Sequence, residues 1–280
     1  MGNDRYAFLL SLVAAFAVVG TLSPAAIMST FIVMGQGHFL LAYLYQWRAG
    51  KIGWRYGALY AAAFTLLLIA YQYIPEPKLW TFFVAGSIFA IHFFVDEYFL
   101  AKITLTLERI LLGSTFIGLY SMLLLRALYF VTIPGVLVVI AGILLIPLIV
   151  QIVRTRVLPF TDGIFILGSF VLLLLLVQPH VISLHAALGF IIFAHYFRWY
   201  LHFYMRLKAS PDQARFKKYL VDVAVVNALV VILFGIFVMY PGSILQFAFA
   251  PTFFFMWTIL HVLFSIRVPA SILAYIGIRF

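Results

Sequence analysis

The sequence predicts an all-α integral membrane protein, a bundle of about ten transmembrane helices with both termini in the cytoplasm. Of its 280 residues, 66% are hydrophobic and only 9% are charged, which leaves too little polar surface for a soluble globule. The apolar residues form segments close to the roughly 20 residues that a spanning helix needs. The net charge of +10 comes from basic residues at the ends of these segments, a placement that fixes membrane orientation and argues against a nucleic-acid partner.

Ten apolar segments follow one another along the chain. Pro24 separates the first segment, which is short, from the second, and nine spans result if these two form one kinked helix. A last apolar piece at 271–278 is too short to cross and is expected at the membrane interface. The ten segments cover residues 6–22, 25–45, 56–74, 79–100, 110–131, 134–153, 162–177, 181–204, 219–240 and 244–268.

The connections between the segments carry their basic residues on alternate sides. The connections at 46–55, 102–109, 154–156 and 206–218 share one side, whereas the opposite connections contain a single lysine. The positive-inside rule makes the basic side cytoplasmic. The connections are too short for a second domain, so residues 1–280 are expected to form one multi-pass domain of the cell inner membrane.

Histidines occupy similar depths on even-numbered segments. His38, His92, His195 and His261 fall roughly 10–14 Å from the cytoplasmic boundary, with His202 nearer to it. Polar groups at such depth are expensive and usually functional. The chain has no cysteine, so a metal would need histidine and carboxylate ligands. We therefore predict these five histidines as metal ligands, against the simpler interpretation that each makes a hydrogen bond between helices.

His195 and His202 are seven residues apart, about 10.5 Å along one helix face. Ligands of one ion on one helix normally stand three or four residues apart. Two arrangements are possible. Either His195 alone is a ligand and His202 holds it in place, or two metal ions lie along this face of the helix.

Charged neighbours offer supporting roles. Asp96 follows His92 by four residues and could orient a histidine N–H or bind the metal itself, and Glu97 is the second such carboxylate. Arg198 lies between the two histidines of its segment and would need a carboxylate beside it. The alternative is an ordinary salt bridge from Asp96 or Glu97 to Lys102, Arg109 or Arg198.

Aromatic residues flank the histidines. They could line a tunnel for a long apolar substrate from the bilayer, although phenylalanine and tyrosine also fill gaps between helices. A histidine-rich donor set in such surroundings suits Fe(II), with zinc, copper or haem as alternatives. The residues predicted to line the substrate are Phe93, Phe94, Tyr196, Phe197 and Trp199.

Three short segments resemble motifs of the membrane β-carotene 15,15′-dioxygenase (Brp/Blh) family. Ile91-His92-Phe93 with Asp96 is similar to its Ile-His-Phe-Gly-x-x-Asp segment, Gly35-Gln36-Gly37-His38 to its Gly-x-Pro-His motif, and Phe193-Ala194-His195 to the start of its His-x-x-x-His pair. The resemblance implies a non-haem iron enzyme that uses O₂ to split a carotenoid into retinal. The chain departs from the motifs in having Gly37, Phe94 and Trp199 where the family has proline, glycine and the second histidine.

Three functions are consistent with these patterns. One is an iron-dependent dioxygenase or related oxidoreductase acting on a carotenoid or another long isoprenoid or lipid. Another is a haem-binding membrane protein. The last is a transporter or non-catalytic membrane subunit in which the histidines and Asp96 form an ion or proton path.

Overall fold

The computed structural model describes residues 2–50, 52–129, 132–155, 158–178 and 184–265. Within these ranges the chain is helical with short connections, and no β-strand occurs. Each of the first nine predicted segments corresponds to one helix, and the tenth corresponds to two shorter helices. The helices are α1 (Gly2–Thr21), α2 (Pro24–Arg48), α3 (Trp54–Tyr73), α4 (Pro77–Leu100), α5 (Leu107–Tyr129), α6 (Gly135–Arg154), α7 (Phe160–Val177), α8 (Leu184–Lys208), α9 (Gln213–Met239), α10 (Gln246–Phe249) and α11 (Pro251–Ser265).

Six of the described helices are long and apolar enough to cross a membrane. They are α2, α3, α4, the part of α5 from Leu107 to Arg126, α7 and α9. Shorter apolar stretches lie in α1, α6 and α11. The all-α membrane class is therefore confirmed. The number of spans and the side of the termini stay predictions, and the apolar piece at 271–278 lies outside the described residues.

The basic connector at 206–218 is much shorter in the structure than its charge suggests. Helix α8 continues to Lys208, and α9 begins at Gln213. Asp212 ends the connection by accepting a hydrogen bond from the backbone N–H of Arg215 at 3.0 Å, as an N-cap does. Lysine and arginine are good helix formers, so charge alone does not indicate a loop here.

The last predicted segment, 244–268, is broken. Helix α10 ends at Phe249, and Ala250 has extended backbone angles before Pro251 opens α11. Proline has no N–H to donate to the carbonyl four residues earlier, so a hydrogen bond of the helical ladder is lost at this point.

The chain divides into two compact units, which we describe separately. The first comprises Met1–Thr81 and Leu184–His261, and the second comprises Phe82–Ser183 and Val262–Phe280. In the first unit, α2 packs against α8 and α9, and α8 also packs along α1. In the second, α5 packs against α6 and α7.

The second unit is held by aromatic packing and one buried ion pair. The ring of Phe94 lies directly over Gly113, so a side chain added there would collide with it unless the ring moved. Asp162, in the first turn of α7, accepts hydrogen bonds from the Tyr98 hydroxyl at 2.5 Å and from Arg109 Nε at 3.2 Å. These polar contacts join α4, α5 and α7.

Glycines allow α2 to approach its neighbours in the first unit. A Cβ on Gly35 would lie 2.6 Å from Cζ of Phe254 and 2.7 Å from the Tyr196 hydroxyl. A Cβ on Gly37 would collide with the Asn227 side chain of α9. A single turn of α2 therefore packs closely against α11 and α8 on one side and against α9 on another.

We expect Gly35→Ala to destabilise the protein by about 1–3 kcal/mol, because the added methyl displaces the fully buried ring of Phe254. The apparent unfolding temperature in detergent measures this. Gly235→Ala is the control, since a Cβ there meets nothing within 4 Å and alanine favours a helix. Equal unfolding temperatures for the two variants would contradict the close packing at Gly35.

Candidate metal centre

Three imidazoles of the first unit come together from three helices. His38 of α2, His195 of α8 and His261 of α11 are 2%, 1% and 3% exposed. The ring centroid of His38 lies 5.6 Å from that of His195 and 5.1 Å from that of His261. We call these three residues the histidine cluster.

Aromatic rings surround the cluster and limit how its imidazoles can turn. The Trp199 ring meets His38 edge-on with centroids 4.6 Å apart, and the Tyr196 ring lies 5.4 Å from it. Phe39 stacks on His261 at 4.3 Å. Gly35 lies one turn before His38 and brings that turn of α2 against Tyr196. The imidazoles are thus packed away from water in a mostly apolar environment.

The spacing of His38 and His261 suits two ligands of a single ion. With metal–nitrogen bonds of about 2.0–2.1 Å, two imidazoles on one metal have centroids roughly 4.5–5.3 Å apart. The His38–His261 distance of 5.1 Å lies in this range, and the His38–His195 distance of 5.6 Å is a few tenths wider.

His202 contacts the ring of Phe203, with centroids 5.4 Å apart. It is buried and stands two helical turns after His195 on α8. Its role as a ligand or support stays a prediction.

Arg198 is also buried, and its guanidinium carbon lies 5.9 Å from the ring centroid of Phe8 on α1. A guanidinium over an aromatic face is stabilised by the ring's negative face. This contact belongs to the packing of α8 on α1.

In the second unit, His92 and Asp96 stand four residues apart on α4. The Nε2 atom of His92 lies 3.4 Å from Oδ2 of Asp96. His92 and Glu97 are buried, and Asp96 is partly exposed. Arg109, one of the alternative partners for these carboxylates, pairs with Asp162 at 3.2 Å.

Histidine and aspartate side chains in the described part of the chain form groups that could hold a metal ion. This supports the coarse expectation of a metal site without selecting the metal. The predicted ligand set of His38, His92, His195, His202 and His261 stays a prediction as a whole.

The residues predicted to line a substrate are placed in two kinds of surroundings. Tyr196 and Trp199 pack on the histidine cluster, and Phe197 contacts Phe193. Phe93 and Phe94 pack against Phe165 in the core of the second unit.

Sequence reasoning missed the role of Gln36. Its Nε2 donates to the carbonyl of Ala248 at 2.5 Å, and Trp257 Nε1 donates to the carbonyl of Phe247 at 2.6 Å. Both carbonyls lie just before the helix break at Pro251, where helical donors are missing. The sequence contained a signal for this contact, namely a glutamine inside one apolar segment and a proline inside another. The proline frees a backbone carbonyl, and because hydrocarbon offers no hydrogen-bond donor, a polar side chain must supply one.

The fold and this cluster describe a helical membrane protein with buried imidazoles. Compared with protein-family models, with curated proteins and with solved structures, the chain matches none.

We expect Gln36→Leu to destabilise the protein by about 1–3 kcal/mol, because it removes the donor to the Ala248 carbonyl. Thermal unfolding in detergent tests this. Gln213→Leu is the matched control, since that amide bonds an exposed carbonyl at the start of α9, where water replaces the lost donor. The role of Gln36 would be refuted by equal effects of the two substitutions.

Proposed function

We propose that the protein is a membrane-embedded oxygenase that holds iron in its histidine cluster and acts on a carotenoid or another long apolar isoprenoid or lipid. The observation that carries this proposal is the convergence of His38, His195 and His261, all buried, from three helices.

The donor chemistry favours a first-row transition metal. Neutral imidazoles suit Fe(II), zinc and copper, and the chain offers no thiolate that would select a softer ion. Three nitrogen ligands would leave positions open for a small molecule. Iron bound there would supply the activation of O₂.

The chain's own residues would hold and shield the reacting groups. The surroundings of the imidazoles are aromatic and apolar, which favours an apolar substrate. The rings of Phe39, Tyr196 and Trp199 exclude water from the imidazoles. Phe39 also presents a flat apolar surface, which suits a polyene.

The reaction implied by the family resemblance needs no outside reductant. One O₂ is divided between the two carbons of a C=C bond, which breaks and leaves two aldehydes. The motif positions His38 and His195 are both members of the cluster, which supports the resemblance for the first unit.

We also propose that the helices make ten spans in the cell inner membrane with both termini in the cytoplasm. The clustering of basic residues in alternate connections supports this orientation.

Purified protein is expected to contain iron close to one equivalent and to show no Soret band. His38→Ala and His261→Ala should each lower the iron affinity by about tenfold or more, since each removes an imidazole. Elemental analysis and the visible spectrum measure these quantities. Thr258→Val is the control: Thr258 is buried one turn before His261, and its hydroxyl donates to the carbonyl of Phe254 in its own helix, so the iron affinity should not change.

The same preparation should consume O₂ with β-carotene and place ¹⁸O from ¹⁸O₂ in both products. A Soret band would select the haem-binding alternative. A colourless, metal-free protein would contradict the iron centre and favour the transporter or subunit alternative. The iron content of His92→Ala and His202→Ala tests the remaining ligands predicted from the sequence.

A further inference from the structure

A cavity of about 840 Å³ lies in the first unit among α2, α3, α9 and the broken α10–α11 segment. This volume is within the range of small-molecule sites, roughly 300–1,000 Å³. The residues of α2 that line it run from Gln36 to Trp47, a length of about 16 Å along the helix. The cavity therefore has room for an extended molecule.

The residues that line the cavity favour a neutral ligand. None of the described residues that line the cavity is charged or a histidine. Three of its polar side chains bond within the protein: the Gln36 amide donates to the Ala248 carbonyl, and the hydroxyls of Tyr43 and Tyr60 bond one another. An ion placed here would be desolvated without a counter-charge, at a cost of several kcal/mol or more.

The rim of the cavity is apolar and open to the surroundings of the protein. Trp47 is 64% exposed and Ile244 is 81% exposed, and both line it. Exposed apolar residues at the ends of membrane helices lie where headgroups meet acyl chains, so the rim gives an apolar ligand a route from the bilayer into the cavity.

The cavity shares a wall with the histidine cluster. Phe39 and Tyr43 both line the cavity. The Phe39 ring stacks on His261 at 4.3 Å, and the Tyr43 ring centroid lies 5.7 Å from that of His261. An occupant would therefore lie one aromatic ring away from the imidazoles.

We propose that this cavity binds a neutral, elongated apolar molecule drawn from the bilayer and holds it beside the histidine cluster as the substrate. The role as substrate rests on the proposed function, whereas the binding itself does not. The binding site is thus formed by α2, α3 and the α10–α11 break, and the five aromatic residues predicted from the sequence do not line it.

Two glycines provide a matched pair of variants. Gly57 lines the cavity at the start of α3, and a Cβ added there meets nothing within 4 Å. Gly235 of α9 is equally open but does not line the cavity. Gly57→Leu therefore narrows the cavity without a clash, and Gly235→Leu makes the same change elsewhere.

The experiment measures binding to the full chain in phosphatidylcholine nanodiscs by quenching of tryptophan fluorescence, since Trp47 and Trp257 line the cavity. The probes are all-trans-retinol, which is neutral, and all-trans-retinoic acid, which has the same skeleton and a negative charge. We expect retinol to bind about tenfold or more tightly than the acid. Gly57→Leu should weaken retinol binding by about tenfold, and Gly235→Leu should leave it unchanged.

Several results would overturn the proposal. Equal retinol affinity in Gly57→Leu and the unsubstituted protein would show that the probe binds elsewhere. Equal affinity for the acid would remove the argument for a neutral ligand. Binding in detergent that disappears in nanodiscs would show that ordinary acyl chains fill the cavity. Iron analysis of the same samples tests the iron centre separately from the binding cavity. If retinol binds as expected but the samples contain no iron, the metal centre is refuted and the cavity proposal stands.

Discussion

Hydrocarbon offers no hydrogen bonds, and this constraint shapes the central turn of α2. Four successive residues there meet four different demands. Gly35 brings the helix against α8 and α11, Gln36 satisfies a carbonyl freed at the Pro251 break, and Gly37 makes room for Asn227. His38 then projects into the cluster with His195 and His261. A change at one of these positions is expected to disturb the others.

Hydropathy and charge predicted the helices well because a spanning segment must satisfy its own backbone and be apolar along its length. The connector at 206–218 was harder, because it depended on helix propensity that outweighs charge, with Asp212 as the cap. Pro251 itself indicates the break in 244–268. The residue that satisfies the freed carbonyl of Ala248 was not predicted, because Gln36 lies more than two hundred positions away.

The candidate site was predictable to the extent that depth along a helix can be read from the sequence. Counting from the segment ends placed His38, His195 and His261 at one level, and in the first unit their rings are neighbours. The direction in which each ring points depends on packing against residues such as Trp199 and Phe39, which a count along the chain does not give. The cavity was not predictable in this way, because it exists where side chains are missing, as at Gly53 and Gly57.

The central claim is that three imidazoles bind one iron. X-ray absorption at the iron edge of the loaded protein tests it most directly, because multiple scattering from imidazole rings is distinct from that of oxygen ligands. We expect scattering from three rings in the unsubstituted protein and from two in His38→Ala. A coordination sphere of oxygen atoms alone, unchanged in His38→Ala, would contradict the claim.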